Sequence, residues 1–170
     1  EFFRVLVEAK FSKASQNFML VFNKNQKLTG LFLAPKENLP SYTPPAYSDT
    51  TKFAEKEILV ETKDHKLVGM FTYPKNASNF PVVVLVHGSG PADMDQTVGP
   101  NKTFKDIATG LASQGIATIR YVKRTMIYEI PGVITVKEET IDDAVAALNL
   151  AKKQAGVNPK KVFLYGHSLG

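Results

Sequence analysis

The residues best suited to chemistry are Gly166, His167, Ser168, Leu169 and Gly170, which read G-x-S-x-G. A serine framed in this way fits a sharp turn from a strand into a helix, with its hydroxyl pushed clear of the sheet. A side chain two places before or after it would collide where strand exit and helix entry nearly touch, so Gly166 and Gly170 permit the turn that Ser168 makes. Such a serine can attack a carbonyl carbon covalently if a base removes its proton. The pentapeptide alone is modest evidence, because glycine and serine are common, and its neighbours must decide. Immediately upstream, Val162-Phe163-Leu164-Tyr165 is a short apolar run suited to a buried parallel strand.

A second loop could complement that serine. His87-Gly88-Ser89-Gly90 follows directly on Val82-Val83-Val84-Leu85-Val86, whose apolar, largely β-branched composition makes it the best central-strand candidate in the chain. A glycine-rich loop at the carboxyl end of a central strand lets backbone N–H groups point into the crevice where ligands of open α/β sheets bind. In acyl transfer such groups hold the negative oxygen of the tetrahedral intermediate, each donor contributing about 3–4 kcal/mol to the activation free energy. This oxyanion hole is assigned to the N–H groups of Ser89 and Leu169. His87 reads as a residue that orders the loop rather than as a base. His167 neighbours Ser168 but points a different way and is expected to pack beside the turn. His65, in the polar stretch Thr62-Lys63-Asp64-His65-Lys66, is expected in an exposed turn. Asp93 and Asp95 lack the third fixed ligand of a metal site, so loop hydrogen bonding is the preferred reading.

The elements that must position these residues follow from periodicity. From Phe3 to Phe11 apolar residues fall on odd positions, as in a half-buried strand, and 17–22 and 28–33 are two further apolar runs joined by Asn23-Lys24-Asn25-Gln26. They form an antiparallel meander whose packing partner is expected outside this sequence, since no amphipathic helix occurs before Pro35. Residues 35–51, with Pro40, Pro44 and Pro45, read either as a semi-rigid tether or as a structured loop lying on the next domain. Two strands, 55–61 and 67–73, then precede the Val82 run. A helix is predicted after Asn101 or Thr103 as N-cap, with Phe104, Ile107, Ala108, Leu111 and Ala112 on one face and Gly115 closing it. A strand over 116–121 and a helix over about 138–155, with Ile141, Ala144, Val145, Leu148 and Ala151 sharing a face, lead through Asn158-Pro159 into the serine's strand. This order predicts a parallel sheet with helices on both faces.

Composition narrows the class further. The chain of 170 residues is 44% hydrophobic and 22% charged, which is ordinary globular composition and argues against disorder. Its net charge of +5 comes from lysines scattered among acids, a solvated surface rather than a nucleic-acid or membrane-binding block. The lack of cysteine excludes disulfides and thiolate metal sites but leaves the compartment open. No apolar run approaches the roughly 20 residues of a membrane-spanning helix. Glu1-Phe2-Phe3-Arg4 already reads as mid-strand, without a starting Met or signal-peptide layout, so a preceding segment is expected. That segment could carry a targeting signal, leaving a secreted or cell-envelope location open.

Val86-His87-Gly88-Ser89-Gly90-Pro91, the strand–helix–strand–helix–strand stretch and Gly166-His167-Ser168-Leu169-Gly170 together resemble the α/β-hydrolase superfamily, particularly bacterial esterases of the dienelactone-hydrolase and serine-aminopeptidase-like type. Gly88 to Asp95 also resembles a subgroup in which a small NTF2-like or cystatin-like domain precedes the hydrolase. The resemblance implies an α/β fold whose N-terminal portion occupies residues 53–170, a linker over 36–52, and residues 1–35 as the end of a small α+β domain. It implies a serine esterase with Ser168 as nucleophile, a small-molecule ester as substrate and no cofactor. A peptidase or thioesterase of the same fold, or a binding protein on a hydrolase-like scaffold, are the alternatives. In this superfamily the acid and histidine of the triad follow the serine, so both are expected beyond Gly170 and this stretch alone is expected to be nearly inactive. A sheet cut at this point is expected to be covered by a further segment or a partner chain. Related chains often carry an acidic residue after the tyrosine that ends the second parallel strand. Here Tyr121 is followed by Val122, which leaves Lys123 and Arg124 without a role. The apolar segment 126–136 is expected either to border the site or to pack on a neighbouring domain.

Overall fold

Among the described residues, strands form at both ends of the chain, where β-branched and aromatic residues concentrate, and the helices lie between them. A computed structural model describes residues 2–34, 41–129 and 132–170. They fall into two units, divided between Ser41 and Tyr42.

The first unit is a three-stranded antiparallel sheet of β1 (Phe2–Lys10), β2 (Ser15–Asn23) and β3 (Leu28–Ala34). Leu6 pairs with Met19, and Met19 with Phe32. The β2–β3 turn is held by the Asn23 carboxamide oxygen, which accepts the N–H groups of Asn25 at 3.0 Å and Lys27 at 3.1 Å. The half-buried alternation predicted for 3–11 does not hold within this unit: Phe3, Val5 and Val7 are exposed, and so is Leu6 between them. The cause is the absence of a helical layer, as residues 2–34 contain strands and turns only.

The second unit contains β4 (Phe53–Glu61), β5 (Lys66–Pro74), β6 (Phe80–Val86), the short ribbon β7 (Thr97–Val98) and β8 (Asn101–Lys102), α1 (Thr103–Ser113), β9 (Ala117–Tyr121), the single turn α2 (Arg124–Ile127), a π-helical turn over Lys137–Ile141, α3 (Asp142–Ala151) and β10 (Val157–Gly166). The main sheet runs β10-β6-β9-β5-β4. Strands β10, β6 and β9 are parallel, whereas β5 and β4 join antiparallel, so the predicted parallel sheet is a mixed one. The reason is local: β4 and β5 are joined by the tight turn 62–65, closed by Thr62 N–H to His65 C=O at 2.9 Å, and so short a connection permits only a hairpin.

Alternation along β6 sends side chains to both helical layers. Val82, Val84 and Val86 share a core with Ala144, Ala147 and Ala151 of α3, while Leu85 packs with Phe104 and Ala108 of α1. The predicted face of α3 is rotated in the structure. Asp143, Ala144, Ala147 and Ala151 are buried, whereas Ile141 and Val145 are each 49% exposed. Small alanines let the helix approach the strands closely, and Arg124 draws Asp143 inward through Nε to Oδ2 at 2.9 Å. The helix also ends at Ala151 rather than near residue 155. Helix α1 has no side-chain cap from Asn101 or Thr103. Its first orphan amide is met by a carbonyl, with Phe104 N–H donating to Asp95 at 2.9 Å. Gly115, at φ +86°, ends it.

Residues 42–52 are the structured loop of the two readings offered above. The Tyr42 hydroxyl donates to Asp106 at 2.7 Å, Asp49 N–H donates to Ser113 Oγ at 2.9 Å, and the Tyr47 ring occupies the space a side chain at Gly110 would need. Residues 36–40 of the predicted linker lie outside the described residues.

Candidate active site

Parallel pairing of Tyr165 with Leu85 and of Gly166 with Val86 brings the two candidate loops out at the same end of the sheet, side by side. The turn after β10 is then tied down at both ends: His167 N–H donates to Val86 C=O at 3.0 Å and Gly170 N–H to His167 C=O at 3.0 Å. Between them Ser168 sits at φ +56°, a left-handed conformation that residues with a side chain seldom adopt. Neither flanking glycine has room for a side chain. A Cβ on Gly166 would overlap the backbone of Gly170, and one on Gly170 would lie 2.5 Å from the Val86 oxygen and 2.7 Å from that of His87. The neighbouring loop is equally close, since a Cβ on Gly88 would fall 3.0 Å from Ser168 Cβ and 3.2 Å from His167 Nδ1.

Ser89 and Leu169 lie on the exposed side of the two loops. Among the described residues no hydrogen bond uses the N–H of either. Gly90 differs: at φ +82° it turns its N–H to Glu139 Oε1 at 2.9 Å. The same Glu139 oxygen accepts from Lys123 Nζ at 2.6 Å, and Lys123 Nζ also donates to the Gly88 carbonyl. The Lys123 ammonium first, and the Gly90 amide second, hold the Glu139 carboxyl below the usual carboxylate range. In the sequence Lys123 has no evident role and Glu139 reads only as a first-turn acid of the helix. Neither residue's spacing from the loop signals the contact.

The three histidines are engaged in different ways. His87 is buried against Phe104 and Tyr121, at ring separations of 4.9 and 5.5 Å, and its Nε2 lies 2.9 Å from the Asp93 carbonyl oxygen. That carbonyl can only accept, so Nε2 carries the proton and Nδ1 is bare. Burial pushes the His87 pKa down to about 4, against the opposing pull of the Asp93 bond, so the ring is neutral at pH 7. His167 is exposed beside the serine, its ring edge-on to Phe104 at 6.4 Å. His65, expected in an exposed turn, is instead half-buried edge-on to Tyr128 at 4.5 Å, because the chain after α2 lays that tyrosine over the β4–β5 turn, where its hydroxyl donates to Lys66 C=O at 2.9 Å.

The two aspartates serve their loop. Asp93 Oδ1 accepts the N–H groups of Asp95 at 3.1 Å and Thr97 at 2.9 Å. The Asp95 carboxylate pairs with Arg120 at 2.9 Å and Lys102 at 3.0 Å, and buried Arg120 continues to Thr72 and Glu55. Within the segment 126–136, Met126, Ile127, Val133 and Val136 are exposed, and residues 130–131 lie outside the described residues. Strand β10 ends the sheet, with Phe163, Leu164 and Tyr165 about half exposed. A cavity of about 710 Å³ lies elsewhere, lined among others by Glu61 of β4, Arg124 of α2, Asp142 of α3 and Lys153 just beyond it. No helix among the described residues is long and apolar enough to cross a membrane.

No protein-family model matches the chain. It is 43% identical over 162 residues to esterase EstD of Thermotoga maritima, an alignment that covers 95% of this chain and 38% of that protein. The chain thus spans well under half the length of that curated relative. Among solved structures it is similar to esterase Est22 (TM-score 0.58, 15% identity, 73% of this chain and 38% of that one). It is also similar to brefeldin A esterase, a bacterial homologue of human hormone sensitive lipase (TM-score 0.53, 18% identity, 81% and 36%). A hyperthermophilic esterase from the archaeon Pyrobaculum calidifontis is a further neighbour (TM-score 0.51, 19% identity, 69% and 36%). At these identities the structural likenesses speak for architecture, and with the G-x-S-x-G turn at the end of a parallel strand they establish that the chain has the α/β-hydrolase fold.

Proposed function

We propose that the chain is the nucleophile-bearing portion of a serine hydrolase that acts on carboxylic esters. The observation that carries this reading is the left-handed Ser168, held between two glycines without side-chain room and set against the Gly88 loop. The 43% identity to a protein named as an esterase supports the substrate class. In this mechanism Ser168 Oγ bonds to the ester carbonyl carbon while its proton passes to a base. The Ser89 and Leu169 amides hold the oxyanion. Collapse of the tetrahedral intermediate breaks the bond to the alcohol, which leaves with that proton, and water then releases the acid from the acyl-enzyme.

The base is a histidine oriented by an Asp or Glu, both from outside residues 1–170. His87 is buried with its one proton committed to a carbonyl, and His167 shares the serine's own turn. Residues 1–35 are the end of a small α+β domain, 36–52 connect it, and 53–170 begin the hydrolase. The open side of β10 is covered by a further segment or a partner chain.

The test is an ester panel on the full-length protein, using 4-nitrophenyl acetate and butyrate, with a fluorophosphonate probe located by mass spectrometry. Ser168→Ala should lower turnover by at least about 10⁴-fold and abolish labelling. Full turnover by that variant would overturn the assignment. Cleavage of aminoacyl amides without ester turnover would make the protein a peptidase. An unlabelled wild type would make it a binding protein on a hydrolase scaffold.

A further inference from the structure

Lys123 is buried, at 1% exposure, two residues after β9, and its own N–H is fixed to the Ala92 carbonyl at 3.0 Å. A buried ammonium is retained only where its hydrogen bonds offset the loss of water. Both side-chain bonds of Lys123 converge on one loop: one goes to the Gly88 carbonyl, and the other to the carboxylate that holds the Gly90 amide.

We propose that Lys123 and Glu139 are positioning residues that set the plane of the Gly88–Ser89 peptide so that the Ser89 N–H faces the reacting carbonyl oxygen. The proposal rests on the reading of Ser89 as an oxyanion donor given above. Its core is covalent geometry. The Gly88 C=O and the Ser89 N–H belong to one peptide unit, which is trans, so the two groups point in opposite directions. By binding the carbonyl from the buried side, Lys123 turns the Ser89 N–H outward, toward the exposed face of the loop. Glu139 then removes the competing amide, because it accepts the Gly90 N–H at 2.9 Å and leaves the Ser89 N–H free. The same loop lies within van der Waals range of Ser168, so a rotation of this peptide would be felt at the serine. Gly88 and Gly90 place little steric resistance on such a rotation, and the ion pair supplies the restraint that the glycines lack. The π-helical turn and the start of α3 contribute by presenting Glu139 and Asp143, about one helical turn apart, to Lys123 and Arg124.

The experiment compares Lys123→Met, Glu139→Ala and Glu139→Gln in the full-length protein by steady-state ester hydrolysis, by affinity for a trifluoromethyl ketone that forms an oxyanion on the serine, and by circular dichroism. Lys123→Met should lower kcat about 10- to 100-fold with KM moved less than about threefold, since the interaction matters when negative charge develops. Trifluoromethyl ketone affinity should fall by a similar factor. Glu139→Gln keeps an acceptor oxygen and should retain more activity than Glu139→Ala. A folded Lys123→Met with kcat within twofold of wild type, or a loss confined to KM, overturns the proposal. If Lys123→Met does not fold, Glu139→Ala decides by the same criteria. Wild-type turnover abolished by Ser168→Ala but indifferent to Lys123 and Glu139 would sink the positioning role alone, whereas absence of serine-dependent turnover would sink both.

Discussion

His87 makes the stability of its unit depend on pH. Burial lowers its pKa from 6.5 to about 4, so the folded protein binds this proton only near pH 4 while the unfolded chain binds it from about pH 6.5. The stabilisation is therefore fully present above about pH 6.5 and is lost as pH falls toward 4, by up to roughly 3 kcal/mol. Urea unfolding at pH 7 and pH 4.5 should show this loss, and His87→Gln should remove most of the pH dependence that is specific to this site. An unchanged slope in the variant would refute the assignment. At this scale the sequence was legible where a residue's role is local. Gly166, Ser168 and Gly170 declare a turn once the apolar run 162–165 before them is read as a strand. Lys123 and Glu139 do not, because their meeting depends on where β9 ends and how α3 begins. The burial of His65 is hidden in the sequence for a similar reason, since Tyr128, which covers it, follows α2 far along the chain.

Among the elements, the turn after β10 has the least tolerance. Gly170→Ala would push a methyl group into the Val86 and His87 carbonyl oxygens, at 2.5 and 2.7 Å. The substitution should cost about 1–3 kcal/mol and displace the serine, to be read as a lower unfolding midpoint together with slower fluorophosphonate labelling. Labelling at the wild-type rate would show that the turn can relax. Periodicity located β6 and α1 because each buries a clear apolar set, and β9 because Ala117, Ile119 and Tyr121 do so on alternate positions. It misplaced the face of α3 because the side against the sheet is built of alanines and an ion-paired aspartate, which score as less hydrophobic than the exposed Ile141 and Val145. Likewise, alternation in β1 announced a strand correctly but could not announce whether anything covers it.

For the molecule as a whole, β10 stands at one end of the main sheet of the described residues, with Phe163, Leu164 and Tyr165 about half exposed; without the proposed covering segment or partner, such an edge favours strand addition and association. A polypeptide of residues 1–170 made alone should therefore associate with increasing concentration in sedimentation velocity, and Leu164→Lys should reduce that association. A monomer across the micromolar range would show that the edge is harmless. The fold class was readable from the order of strands and helices, whereas the antiparallel addition of β5 and β4 at the other edge became clear only from their pairing.

The pairing of Val162 with Val82 joins the strands most distant along the chain, while β4 and β5 meet across a four-residue turn. Contacts this remote close the largest loop and so carry the greatest entropic delay. During synthesis, β6, the Gly88 loop, Lys123 and Glu139 all leave the ribosome before β10 does. The Ser89 side of the proposed oxyanion site can thus be assembled ahead of Ser168 and Leu169, which arrive together when β10 adds to a sheet already in place.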